Sequence, residues 1–129
     1  MIKARILVVD DEPQIRRVMR TTLVSRGYMV DDARNGEDAL EKLRAERFDL
    51  VLLDMNMPGK SGTQVLLDLK TDAHLASTPV IFLSSLLDGY EEARQPLNQQ
   101  KIRYIAKSVD STMLLLSVDE AIAENVAPA

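Results

Sequence analysis

The segment Ile6-Leu7-Val8-Val9-Asp10-Asp11-Glu12 places four consecutive apolar residues directly before three carboxylates. Two later segments repeat this arrangement: the apolar run 50–53 precedes Asp54, and the run 80–83 precedes Ser84. Short apolar runs rich in β-branched residues and leucine are typical of strands buried on both faces of a parallel sheet. The three runs therefore predict three central strands, each followed by a polar residue.

Two further segments mix polar residues into the apolar pattern, as expected of strands at the edges of a sheet. They cover residues 28–32 and 102–106. Segments with helical periodicity alternate with all five strands, which predicts right-handed crossovers and helices on both faces. We therefore expect an α/β fold of the flavodoxin-like, doubly wound type: a five-stranded parallel sheet with strand order 2-1-3-4-5 and five helices.

The helix boundaries follow from capping and stop signals. Pro13 suits a first turn, Gly27 a helix stop, and Asn35 a helix start. A third helix is predicted from about Gly62, a fourth over 86–97, and a fifth from Asp110, which is a good N-cap. The predicted inward-facing residues are Ile15, Val18, Met19, Thr22 and Leu23 on the first helix, Ala39, Leu40 and Leu43 on the second, Val65, Leu66 and Leu69 on the third, and Leu114, Leu115, Val118 and Ile122 on the fifth.

Length and composition limit the function classes. A chain of 129 residues suits one domain, which we place at 1–124, with 125–129 as a C-terminal tail or linker stub. The net charge is −4 and the basic residues form no run, so direct nucleic-acid binding is not expected. There is no cysteine and no apolar run long enough to span a bilayer, so we expect a cytoplasmic protein without a membrane segment.

Polar residues that follow parallel strands meet at one edge of the sheet, which is where the functional crevice of such folds lies. Asp10, Asp11, Asp54, Ser84 and Lys107 all follow predicted strands. Carboxylates gathered this closely need a counterion or a raised pKa. An oxygen-rich site with few protein ligands suits Mg²⁺.

These residues and their surroundings resemble a known family. The segments are Val9-Asp10-Asp11-Glu12, Leu53-Asp54-Met55-Asn56-Met57-Pro58-Gly59 with Gly62, then Ser84 and Lys107. Together they are similar to the receiver domain of two-component response regulators, including the chemotaxis regulator, over nearly the whole chain. The resemblance implies that Asp54 is the phosphoacceptor. It also implies Mg²⁺ ligands at Asp11 (direct), Asp10 (through water), Asp54 and the Asn56 carbonyl, phosphoryl contacts from Ser84 and Lys107, and an aromatic switch residue at Tyr104.

The resemblance also implies a function. Such a domain takes a phosphoryl group from a histidine kinase or phosphotransfer protein in a Mg²⁺-dependent reaction, and it is not a conventional enzyme, since it catalyses only its own phosphorylation and dephosphorylation. Its face formed by the fourth helix, fifth strand and fifth helix then controls a partner, through a homodimer or an output domain. On the fifth helix, Met113 and Leu116 lie opposite the inward stripe, which suggests a protein contact there.

Other interpretations of the sequence remain. A receiver-like binding module could keep the fold and signal without phosphorylation. A flavodoxin-like cofactor binder would need a phosphate-binding loop where the acidic segment 10–12 stands. A haloacid dehalogenase phosphatase would need an acid/base carboxyl group where Asn56 stands. Ser108 follows Lys107, where the family usually has proline, and the sequence leaves open whether this peptide bond is cis or trans.

Overall fold

The computed structural model describes residues 4–85 and 103–125, in which five parallel strands form one sheet. The strand order is β2-β1-β3-β4-β5, as the sequence predicts. Each neighbouring pair is parallel, so the carboxyl ends of all the strands lie along one edge. The strands are β1 (Arg5–Val9), β2 (Met29–Ala33), β3 (Leu50–Asp54), β4 (Val80–Ser84) and β5 (Arg103–Ala106).

Four helices lie within the described residues: α1 (Pro13–Ser25), α2 (Gly36–Ala45), α3 (Gly62–Thr71) and α4 (Ser111–Asn125). Helix α4 is the fifth of the five helices that the sequence predicts. The predicted fourth helix, over 86–97, lies outside the described residues. None of the helices in 4–85 and 103–125 has the length and apolar content that crossing a bilayer requires.

The predicted helix starts and stops are present. Pro13 occupies the first turn of α1, and Gly27 follows that helix with φ 103°, a conformation that glycine adopts without strain. At the start of α2, the Asn35 side chain accepts a hydrogen bond of 2.8 Å from the Asp38 amide. Ser61 and Gln64 form a reciprocal capping box at the start of α3.

The core consists of one apolar layer on each face of the sheet. Successive residues of a strand point to opposite faces, so Leu7 and Val9 pack under α2 and α3 while Ile6 and Val8 pack under α1 and α4. All four side chains are fully buried. The apolar runs are therefore buried on both sides, which holds their carboxyl ends in fixed positions.

The prediction that Val18 belongs to the core is wrong, because this residue is 60% exposed. The stripe of α1 that packs on the sheet is centred on Met19 and Leu23, with Ile15 partly buried beside them. Successive helix residues are rotated by about 100°, so Val18 lies a quarter-turn away from Met19 and beyond the edge of the stripe. On α4, Leu114 and Val118 are buried as predicted, Leu115 and Ile122 are partly buried, and Ala121 joins the core.

Candidate functional site

The site lies at the carboxyl edge of the sheet, where one ammonium meets three carboxylates. Asp10 follows β1, Asp54 is the last residue of β3, and Lys107 follows β5. Lys107 Nζ is 3.0 Å from Asp10 Oδ2, 3.0 Å from Asp54 Oδ2 and 3.0 Å from Glu12 Oε1. The parallel topology thus brings together groups that are far apart in the chain.

Backbone amides hold two of these carboxylates in place. The Glu12 amide donates a hydrogen bond of 2.9 Å to Asp10 Oδ1. The Asn56 amide donates one of 3.1 Å to Asp54 Oδ1. In each case the amide lies two residues beyond the carboxylate, which is the geometry of an Asx turn. The strand end and the turn after it together orient each side chain into the site.

Burial disfavours the charged forms of the side chains at this site. Asp10 and Asp54 are 0% and 1% exposed. Burial raises the pKa of Asp54 to about 6, although the hydrogen bonds from Lys107 and Asn56 act in the opposite direction. Burial by itself lowers the pKa of the Lys107 ammonium, but the surrounding carboxylates outweigh that effect and hold its pKa above the ordinary value. At neutral pH, Asp54 is therefore mainly an ionised carboxylate next to a permanent positive charge.

Gly62 allows β3 and α3 to approach closely behind Asp54. A Cβ atom at position 62 would lie 2.2 Å from the Asp54 carbonyl oxygen and 2.9 Å from Met55 Cα. The Gly62 amide also donates a hydrogen bond of 3.1 Å to the Met55 carbonyl. The backbone that carries Asp54 is thus packed directly against the start of α3, without an intervening side chain.

Ser84 lies on β4, the strand next to Asp54, and Tyr104 lies on β5, one strand further along the sheet. Ser84 is buried at the end of β4, one residue beyond Leu83, which pairs with Asp54 across the sheet. Its carbonyl accepts a hydrogen bond of 2.8 Å from the Lys107 amide, which joins the ends of β4 and β5. Tyr104 is half-buried on β5, and its ring stacks on Phe82 with 5.6 Å between centroids.

Asp10, Asp11 and Glu12 form a cluster that could hold a metal ion, since one carboxylate oxygen from each lies within 4.8 Å of the others. Within the described residues, Asp10 Oδ2 is buried without a hydrogen bond, because Lys107 contacts it as an ion pair but not with hydrogen-bond geometry. An unsatisfied carboxylate oxygen next to further oxygen donors fits Mg²⁺, which binds through one or two carboxylates and keeps several waters.

Two groups at the site were missed by the sequence analysis. The Arg16 guanidinium donates to the Asp10 carbonyl at 2.7 Å and to Asp32 Oδ2 at 3.3 Å, which ties α1 to the ends of β1 and β2. Arg16 lies between Ile15 and the core residue Met19, so a buried partner for its charge could have been expected. The sequence analysis gave Glu12 no role of its own, yet its side chain reaches Lys107.

The peptide bond after Lys107 is trans, since none of the peptide bonds in 4–85 and 103–125 is cis. This answers the question that Ser108 left open. The Lys107 ammonium nevertheless reaches Asp54. A proline at position 108 is therefore not required for this contact.

The side of α4 that faces away from the core carries two exposed apolar side chains. Met113 is 48% exposed and Leu116 is 49% exposed, as the helical periodicity predicts. On the neighbouring strand, Arg103 forms ion pairs with Glu120 and Glu124 of the same helix. The apolar pair thus lies on a helix that is joined to β5 by the ion pairs of Arg103.

Comparisons with known proteins agree with this geometry. Residues 6–119 match the family model of the response regulator receiver domain. The chain is 34% identical over 120 residues to the protein PilH of Pseudomonas aeruginosa, covering 93% of this chain and 98% of PilH. It is 36% identical over 124 residues to the transcriptional regulatory protein KdpE of Mycobacterium tuberculosis, covering 96% of this chain but 53% of KdpE. It covers 33% of ResD of Bacillus subtilis, to which it is 40% identical over 83 residues. The chain thus spans about a third to a half of the length of the two longer relatives.

Solved structures show the same fold. The chemotaxis protein CheY4 of Vibrio cholerae superposes with a TM-score of 0.84 at 27% identity, covering 93% of this chain and 99% of CheY4. The response regulator TrrA of Thermotoga maritima, in complex with Mg(2+)-BeF, superposes with a TM-score of 0.78 at 36% identity, covering 93% of this chain and 99% of TrrA.

Proposed function

The chain belongs to the receiver-domain family of two-component response regulators, and on that basis we propose that it accepts a phosphoryl group on Asp54. The donor is a histidine kinase or a phosphotransfer protein of a cytoplasmic signalling pathway. The observation that carries the proposal is the position of Asp54: a buried carboxylate at the end of the central strand, 3.0 Å from the Lys107 ammonium.

The chemistry follows from this arrangement. An Asp54 carboxylate oxygen attacks the donor phosphorus, the bond from phosphorus to the donor's leaving group breaks, and an acyl phosphate forms. In a loose phosphoryl-transfer transition state, negative charge spreads over the three equatorial oxygens, so stabilising that charge is the main catalytic requirement. Lys107 supplies one positive charge. The Ser84 hydroxyl, at the end of the adjacent strand, supplies a hydrogen bond to the transferred group.

We further propose that the reaction requires Mg²⁺, and the cluster of Asp10, Asp11 and Glu12 supports this proposal. We assign Mg²⁺ binding to Asp11, to Asp10 through water, to Asp54 and to the Asn56 carbonyl. When bound, the ion neutralises charge on the carboxylates and on the phosphoryl oxygens. The similarity to TrrA, whose structure is a complex with Mg(2+)-BeF, supports this assignment.

Phosphorylation changes the charge at Asp54 from −1 to between about −1.5 and −2 and adds three acceptor oxygens. We infer that Ser84 turns toward these oxygens and that Tyr104 moves with it. The face formed by β5 and α4 then changes its affinity for a partner, which is a second copy of the chain or an output domain.

The exposed pair Met113 and Leu116 is the part of that face that we assign to the partner contact. Replacing both with serine should abolish any self-association that beryllofluoride induces in sedimentation experiments. Self-association that persists in the double variant would place the contact elsewhere. A wild type that stays monomeric in both states would leave only a contact with a different protein.

A small phosphodonor tests the proposed function. With acetyl phosphate and Mg²⁺, the intact mass of the protein should rise by one phosphoryl group, and neither chelated protein nor Asp54→Asn should show this gain. The alternative, a receiver-like module that binds partners without phosphorylation, predicts no gain in the wild type. The buried carboxylate beside Lys107 favours phosphorylation over that alternative.

A further inference from the structure

The Glu12 side chain contacts a residue far away in the chain rather than its own helix. Glu12 is the N-cap residue of α1, yet its carboxylate makes no hydrogen bond to that helix. N-cap side chains commonly accept a hydrogen bond from the amides of the first turn. Here the carboxylate accepts a hydrogen bond of 3.0 Å from Lys107 Nζ instead, across 95 positions of the chain. The contact therefore joins the start of α1 to the end of β5.

The three carboxylates around Lys107 differ in their freedom to move. The side chains of Asp10 and Asp54 are 0% and 2% exposed, and each is fixed by a backbone amide. The Glu12 side chain is 59% exposed. It is the partner of Lys107 that can swing into solvent without disturbing the sheet.

We propose that Glu12 is a positioning residue that holds the Lys107 ammonium in the unphosphorylated protein and releases it when the phosphoryl group arrives. The inference rests on the proposed phosphorylation of Asp54. Lys107 Nζ already donates hydrogen bonds to Glu12 and Asp54 and forms an ion pair of 3.0 Å with Asp10. Phosphoryl oxygens that approach Lys107 therefore compete with these carboxylates for its donors and its charge, and they bind it fully when one carboxylate withdraws.

Charge drives the withdrawal, and exposure determines that Glu12 rather than the buried Asp10 withdraws. Phosphorylation increases the negative charge at Asp54, which repels Glu12 across the shared ammonium. Because the Glu12–Lys107 contact exists only in the unphosphorylated form, it favours that form. Glu12 therefore opposes phosphorylation, and replacing it should increase the rate of phosphorylation.

Two Glu12 variants and one control separate this role from a general charge effect. Glu12→Gln removes the charge, while Glu12→Asp keeps the charge but shortens the side chain by one methylene. Glu46→Gln is the matched control, because Glu46 is also an exposed glutamate with an ion pair, 3.1 Å from Arg5, at the opposite end of the sheet. Phosphorylation by acetyl phosphate is followed at saturating Mg²⁺, and Mg²⁺ affinity is measured by calorimetry.

Phosphorylation of Glu12→Gln should be about two- to five-fold faster than that of the wild type, the range expected for loss of an exposed ion pair. Glu12→Asp should change in the same direction, because the shorter side chain loses the contact. Glu46→Gln should match the wild type. A rate for Glu12→Gln that equals or falls below that of the wild type would overturn the proposal. So would a loss of more than ten-fold in Mg²⁺ affinity, since Glu12 would then be a metal ligand.

A spectroscopic measurement tests the contact without phosphorylation. The Lys107 ammonium resonance in ¹⁵N NMR, assigned by its loss in Lys107→Arg, should exchange faster with water in Glu12→Gln and remain unchanged in Glu46→Gln. Unchanged exchange in Glu12→Gln would refute the contact while leaving the phosphorylation of Asp54 standing. A wild type that accepts no phosphoryl group would instead refute the proposed function, and with it the role of Glu12, even if the contact is present.

Discussion

Replacing Gly62 with alanine should damage both the stability of the fold and the position of Asp54. The added Cβ would lie 2.2 Å from the Asp54 carbonyl oxygen, 2.9 Å from Met55 Cα and 3.0 Å from the Asp54 carbonyl carbon. All three neighbours are backbone atoms, so no side-chain rotation relieves the clash. The start of α3 must instead move away from β3, which also lengthens the hydrogen bond from the Gly62 amide to Met55.

Two opposing effects determine the size of the loss. Overpacking a close-packed region costs about 1–3 kcal/mol. Alanine in a helix is favoured over glycine by about 0.5–1 kcal/mol, and this gain is available because Gly62 does not have a positive φ. The clash exceeds the gain, so we expect the free energy of unfolding to fall by about 1–2 kcal/mol.

The matched control is Gly59→Ala, in the loop just before α3. Gly59 has φ +78° and no atom within 4 Å of an added Cβ, so this substitution strains the local backbone without displacing α3. Urea denaturation should show that both variants are destabilised. Phosphorylation by acetyl phosphate should slow by about ten-fold or more only in Gly62→Ala, since a small misplacement of a reacting group has a large effect on rate. A Gly62→Ala protein with wild-type stability and wild-type phosphorylation would refute this explanation of Gly62.

Three smaller predictions concern the framework. Burial and the hydrogen bond to Asp119 raise the pKa of Tyr28 to about 12. The contribution of this phenol to the free energy of unfolding should therefore be complete below pH 10 and disappear as the pH rises toward 12. A difference titration of tyrosinate absorbance between the wild type and Tyr28→Phe should give that pKa. Asn35→Ala should cost about 1 kcal/mol of unfolding free energy, and Asn35→Gly only a few tenths, in urea denaturation. Val118→Ala should cost about 1.5–3 kcal/mol in the same assay, because Val118 is 0% exposed under the sheet, and a loss below about 0.5 kcal/mol would contradict its place in the core.

The strand order was predictable because burial and chain direction constrain it together. The runs ending at Val9, Leu53 and Leu83 are apolar without alternation, which is typical of strands covered on both faces. The convergence of Asp10, Asp54 and Lys107 then follows from parallel topology alone. Their roles as phosphoacceptor and cation came only from the resemblance to receiver domains, since carboxylates at strand ends are also ordinary turn residues.

The contacts within the site could not be predicted from periodicity. Glu12 and Lys107 are 95 positions apart, and nothing in the sequence indicates how far each side chain extends into the crevice. Arg16 lies beside an inward-facing stripe, but its acceptor on β1 depends on the angle at which α1 crosses the sheet. The prediction that Val18 is buried failed because the predicted five-residue stripe of α1 is wider than the part of the helix that packs against the sheet.

The position of the phosphoryl group in the chain is the most direct test of the proposed function. After incubation with acetyl phosphate and Mg²⁺, borohydride reduction converts an aspartyl phosphate to homoserine, which peptide mass spectrometry can locate. We expect homoserine at position 54 and at no other aspartate, Asp10 and Asp11 included. Homoserine at another position, or continued phosphorylation of the Asp54→Asn variant, would contradict the assignment of Asp54 as the phosphoacceptor.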